Sequence, residues 1–196
     1  MPAYKTLKTN SDSFLKEKGS KFYAYAFPIQ SAEDVKIHLE SVKSLHPKAR
    51  HICTAFLMGQ GNQEYYLVND DGEPSNSAGM PILAAIRSAE ITQVFIAVVR
   101  YFGGTKLGVG GLIQAYRGSA KEAIESNQII VIEPHSSFSI KTSYDLLGET
   151  LSIIDKNNLD IQQNHKNEFV EIKVVCEEKD LDKTKALFDR LNVEIH

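Results

Sequence analysis

Asp70, Asp71 and Glu73 stand within one four-residue window, followed closely by Pro74, Ser77, Ala78, Gly79 and Pro81. Carboxylates this close together can ligate a divalent ion or act as acid and base. They can equally close a turn, cap the helix that Pro81 opens, or pair with Arg50 and Arg100. No second carboxylate cluster is evident that would complete a metal or acid–base site, so the structural roles are the stronger reading. His46 and His51 flank Pro47, share no helical face, and make a poor zinc pair. Cys53 lies in an apolar run, where burial is expected rather than nucleophilic activation. No G-x-S-x-G elbow occurs. The residues give no catalytic set, no metal site and no cofactor site.

The second chemistry-bearing stretch is residues 100–116, which hold five of the twelve glycines, at 103, 104, 108, 110 and 111. An apolar run, Val94 to Val99, precedes it and has the pattern of a strand buried on both faces. Leu112, Tyr116, Ala120 and Ile124 follow at helical spacing. Strand, glycine loop and helix are therefore expected in that order. A helix start presents unpaired N–H groups and a partial positive charge. Lys106 and Arg100 would add to an anion site there, with Arg50 and Tyr101 beside them. Neither G-x-x-x-x-G-K-[ST] nor G-x-G-x-x-G is present. Spacing alone also fits glycines that only let the helix pack tightly against the strand.

The run Arg100-Tyr101-Phe102-Gly103-Gly104-Thr105-Lys106-Leu107-Gly108-Val109-Gly110-Gly111 resembles the signature of the YigZ/IMPACT family. So do Lys18-Gly19-Ser20-Lys21-Phe22, His46-Pro47-Lys48-Ala49-Arg50-His51 with Cys53, and the Asp70 to Pro81 segment, in that chain order. The resemblance implies an α+β protein of two domains. The first would have a ribosomal-protein domain-two-like α/β fold and the second would be similar to a domain of translation elongation factors. It also implies eukaryotic relatives that regulate translation under stress, but supplies no reaction.

The elements expected around these motifs support two domains. A chain of 196 residues suits one large domain or two small ones. An aromatic strand, Lys21 to Ile29, precedes a helix capped by Ser31 with Asp34 three residues on. Strands follow at Ile52 to Met58 and Glu64 to Val68, then a helix from Pro81 to Ala89. The Val94 strand, the glycine loop and its helix to Ser126, and a short strand at Ile129 to Ile132 complete a domain over 1–133. Glu133 to Ser136 reads as a linker. Residues 137–196 give a ferredoxin-like βαββαβ order, with a turn at 164–167.

Net charge is −3, against a broadly basic nucleic-acid coat, but residues 1–50 hold nine Lys/Arg against five Asp/Glu. RNA, a ribosome or a ribosome-bound protein is the expected partner, met on this basic portion or at a groove formed by the glycine loop and the two helix starts. An enzyme acting on a small phosphorylated or peptide-like substrate, or a protein–protein module, are the alternatives. No signal-peptide core and no bilayer-length apolar run are present, so a cytoplasmic protein with free thiols at Cys53 and Cys176 is expected.

Overall fold

The computed structural model describes residues 3–166 and 168–196. Two compact units emerge, one of Tyr4–Ile132 and one holding Glu133–His196. No helix is long and apolar enough to cross a membrane among the described residues.

The first unit is built on five strands: β2 (Ser11–Glu17), β3 (Ser20–Pro28), β4 (His51–Met58), β5 (Tyr65–Asn69) and β6 (Val94–Tyr101). They lie in the order β2-β3-β6-β4-β5, every neighbour antiparallel. The short strands β1 (Tyr4–Leu7) and β7 (Ile129–Ile132) pair separately. Central β6 is buried on both faces, as its unbroken apolar run requires. Period two divides it. Val94, Ile96 and Val98 pack under α2 (Gly79–Ser88) and α3 (Gly108–Glu125), whereas Phe95, Ala97 and Val99 face the layer of α1 (Ala32–Leu45). Helix α3 buries Leu112, Tyr116, Ala120 and Ile124, the residues its spacing selects. Helix α1 begins with the expected capping box, Ser31 accepting from the Asp34 N–H and Asp34 from the Ser31 N–H. It seats Val42, with Val35 and Leu39 partly buried. Leu45, expected on the same stripe, is exposed.

Two strands escape the sequence reading. β2 has only Phe14 and Leu15 as apolar residues, too few to show alternation. It is held instead by pairing with β3 and by the Ser11 and Ser13 hydroxyls, which donate to the Ala123 and Ser119 carbonyls of α3. β1 is four residues long. The β2–β3 turn is Lys18-Gly19, with φ of 44° and 84°, the two positive angles of a tight hairpin whose twist matches its strands.

The second unit runs β8 (His135–Thr142), α4 (Tyr144–Lys156), β9 (Asp160–His165), β10 (Val170–Glu177), α5 (Leu181–Ala186), β11 (Glu194–Ile195). Its sheet order is β11-β8-β10-β9, all antiparallel, which is the ferredoxin-like βαββαβ arrangement. Phe138, Ile140, Ile154, Ile172, Val174 and Phe188 form its core. Helix α5 is shorter than the Leu181 to Leu191 stripe implies, and Phe188 reaches the core from the turns beyond it. The expected turn at 164–167 includes Asn167, which lies outside the described residues.

Candidate functional site at one end of the N-terminal sheet

Strand register brings the distant motifs together. Lys21 pairs with Tyr101 and His51 with Arg100, so the starts of β3 and β4 and the end of β6 share one end of the sheet. The Lys18-Gly19 turn, the Pro47 to Arg50 segment and the glycine loop therefore gather there. Gly19 and Gly103 touch backbone to backbone: a Cβ on Gly103 would fall 1.8 Å from the Gly19 carbonyl carbon and 2.2 Å from the Ser20 nitrogen. The Gly103 N–H also donates to the Ser20 hydroxyl at 3.2 Å.

The acidic loop folds onto the same end, and each of its carboxylates has work within the fold. Asp70 accepts from three backbone N–H groups, with Oδ1 bonded to Ala78 and Gly79 at 3.0 and 2.8 Å and Oδ2 to Asn76 at 2.7 Å. It thus caps α2 from outside the helix, where the N-cap residue Ala78 has no side-chain oxygen to do so. Asp71, at φ 40°, accepts from the Ile52 N–H at 2.6 Å and fastens the turn to β4, while His51 Nδ1 lies 2.8 Å from the Asp71 carbonyl oxygen. Glu73 receives Arg100 Nη1 at 2.7 Å and the Tyr116 hydroxyl at 2.8 Å. The Glu73 and Arg100 side chains are 4% and 8% exposed. Arg100, read from the sequence as either an anion-binding residue or a partner of the acidic loop, is paired with Glu73. Among the described residues no group of three or more His, Cys, Asp or Glu stands where it could hold a metal ion.

Arg100 and Tyr101 are consecutive in a strand and so point to opposite faces. Arg100 lies under α3 beside Phe22, with its guanidinium carbon 5.8 Å from that ring centre. Tyr101 lies on the α1 face, its hydroxyl 3.0 Å from His46 Nδ1. The two do not line one groove. Arg50 and Lys106 are exposed and, among the described residues, have no ion pair. Gly104 and Gly108 have φ of 89° and 73°, the left-handed conformation that glycine adopts freely. Gly110 has open space, and Gly111 meets only the Leu107 side chain. The first turn of α3, which follows Lys106 closely, carries no acidic residue and no side-chain cap.

Cys53 closes the buried network. Its sulfur lies 3.0 Å from the Asp70 carbonyl oxygen and 3.3 Å from the Tyr116 hydroxyl. Burial pushes the thiol up from 9.0 to about 12, and burial likewise raises Tyr116, with Cys53 adding to the effect. A thiol held protonated is no nucleophile. Cys53 in the native protein is expected to resist iodoacetamide at pH 8 and to be labelled only at the rate of unfolding, with peptide mapping as the readout. The folded pKa exceeds the unfolded one, so its contribution to stability is full below about pH 9 and is lost as the pH rises toward 12. Rapid labelling of the folded protein at Cys53 would contradict this placement.

The architecture is that of a two-domain α+β protein whose N-terminal motifs converge on one sheet end. A solved structure described as an hypothetical protein matches it with a TM-score of 0.74 and 26% identity, covering 100% of this chain and 97% of its own. The model of the Impact N-terminal domain matches residues 18–124, a span that contains all four converging motifs. The chain belongs to the IMPACT family. It is 32% identical to the IMPACT family member YvyE of Bacillus subtilis (strain 168) over 180 residues, 91% of this chain and 82% of that protein. It is 34% identical to the IMPACT family member YigZ of Escherichia coli (strain K12) over 131 residues, 66% and 64% of the two chains.

Proposed function

We propose that the chain is a non-enzymatic regulator associated with translation, and that its N-terminal unit binds RNA through phosphate contacts at the motif-bearing end of the sheet. The translation role comes from the family, whose motifs imply eukaryotic relatives with that function. The observation that carries the RNA reading is an imbalance of free charge. The three carboxylates of the acidic loop are occupied by backbone N–H groups or by Arg100. Lys18, Lys21, Arg50 and Lys106 are exposed without an ion pair among the described residues, at the sheet end where the motifs gather, and Lys106 directly precedes the uncapped start of α3. Cations and helix N–H groups without a side-chain cap together suit phosphate oxygens. The same features weigh against the enzyme reading, because the three acidic-loop carboxylates and the Cys53 thiol have structural partners.

Fluorescence anisotropy with a labelled RNA, titrated at several salt concentrations, tests the proposal. Lys106→Ala is expected to weaken binding across sequences and to flatten the salt dependence by roughly one unit of slope, one phosphate contact being lost. An unchanged affinity and slope would remove Lys106 from the interface and shift the contact toward Lys18 and Lys21.

A further inference from the structure

Helix α1 covers only part of its face of the sheet. Beyond it, on β2 and β3 and at the end of β6, lies a set of rings in which Phe14 is exposed and Tyr23 and Tyr101 are half-buried. Phe14 and Tyr23 are 4.9 Å apart between ring centres, Tyr23 and Tyr101 6.0 Å, and Tyr23 and His46 5.2 Å. Phe14 is 51% exposed and Phe102, just past β6, 58%. His46 fixes the cluster from the end of α1, its two nitrogens 2.7 Å from the Tyr25 hydroxyl and 3.0 Å from that of Tyr101. Gly19, Lys21, Tyr23, Tyr101 and Phe102 line a shallow cavity of about 310 Å³ at its margin.

The charges around these rings have one sign in excess. Lys16 and Lys21 are directly opposed across the β2–β3 ladder, on the same face as Phe14 and Tyr23. Like charges in that position repel and destabilise the pair unless an anion lies over them. Lys18 stands at the turn beyond. Asp12, opposite Tyr25, and Glu17 are the carboxylates of the same hairpin. An exposed ring beside half-buried ones, bordered by lysines without an ion pair among the described residues, is complementary to a strand whose bases are free to stack and whose phosphates run alongside. A duplex hides its base faces and would gain only from the lysines.

We infer that the open half of this sheet face is a stacking platform for single-stranded RNA, with Phe14, Tyr23 and Tyr101 under the bases and Lys16 and Lys21 on the phosphates. The inference rests on the RNA reading above and assigns it a second surface, adjoining the glycine loop. The test uses the full chain and three labelled probes of equal length: a single-stranded oligouridine, an abasic ribose-phosphate strand, and an RNA duplex. The oligouridine is expected to bind most tightly. Phe14→Ala, at a half-exposed position where folding tolerates truncation, is expected to weaken it about 5- to 50-fold while leaving the abasic strand unchanged, and Phe14→Tyr is expected to retain binding. Equal affinity for oligouridine and abasic strand, with Phe14→Ala without effect, overturns the stacking platform and leaves RNA binding by phosphate contact intact. Failure of every probe to bind overturns the platform together with the RNA reading.

Discussion

Glu73→Ala is expected to lower the unfolding free energy by about 3–5 kcal/mol, because it leaves Arg100 charged, buried and without its carboxylate. The pair is almost completely removed from solvent, and Glu73 also accepts from the Tyr116 hydroxyl, so truncation orphans two donors at once. The damage should spread into the acidic loop and the middle of α3, where Tyr116 is anchored by this carboxylate. Replacing both partners by apolar residues of similar size, Glu73→Leu with Arg100→Met, is expected to recover much of the loss, since a buried ion pair is costly to break and far less costly to replace as a unit. Urea unfolding of Glu73→Ala gives the cost, and that of Glu73→Leu, Arg100→Met and the double variant provides the cycle. A cost below about 1 kcal/mol for Glu73→Ala would mean that water reaches the pair and that it does not organise the motif end.

The second large effect is at Gly103. Its added Cβ would overlap the Gly19 backbone at 1.8 Å, and backbone cannot rotate out of the way as a side chain can. The strands on either side are held in register by the Lys21 to Tyr101 pairing, so relief requires the glycine loop to move off the β2–β3 turn. Gly103→Ala is expected to cost about 2–4 kcal/mol, beyond the roughly 1 kcal/mol that glycine conformational freedom alone explains. Two neighbours serve as controls of opposite sign. Gly104→Ala has space but a φ of 89°, and is expected to cost about 1 kcal/mol. Gly110→Ala has space in a helical turn, and is expected to be neutral or stabilising by up to about 1 kcal/mol. Equal stability of the Gly103 and Gly110 variants would contradict the close approach.

What the sequence could and could not convey follows from the range of the forces involved. Local periodicity is enough for β6, α3, the capping box of α1 and the βαββαβ order, because each is a pattern along one segment. The opposed faces of Arg100 and Tyr101 were equally local, and the two-residue period of a strand already separates them. Register is different. That Lys16 faces Lys21, or that His51 meets Arg100, depends on pairings between segments, and no single stretch encodes them. β2 was illegible for a related reason: its stability comes from pairing with β3 and from its own Ser11 and Ser13 hydroxyls donating to α3 carbonyls, with little apolar surface of its own. The roles of Asp70, Asp71 and Glu73 were recognisable as structural in kind. Their partners could be named only once the loop was seen folded onto β4 and α2. Gly103 was visible as one of a glycine cluster, but its facing partner, Gly19, lies 84 positions away in the chain.

The proposed association with the translation apparatus through charge at the N-terminal sheet end is tested by co-sedimentation of the full chain with ribosomes at two salt concentrations. At about 50 mM salt the protein is expected to pellet with ribosomes, and at about 200 mM to release by tenfold or more, as several phosphate contacts exchange for counterions. Lys106→Ala is expected to release at lower salt than the wild type. Wild-type protein that stays in the supernatant at both concentrations would contradict the account.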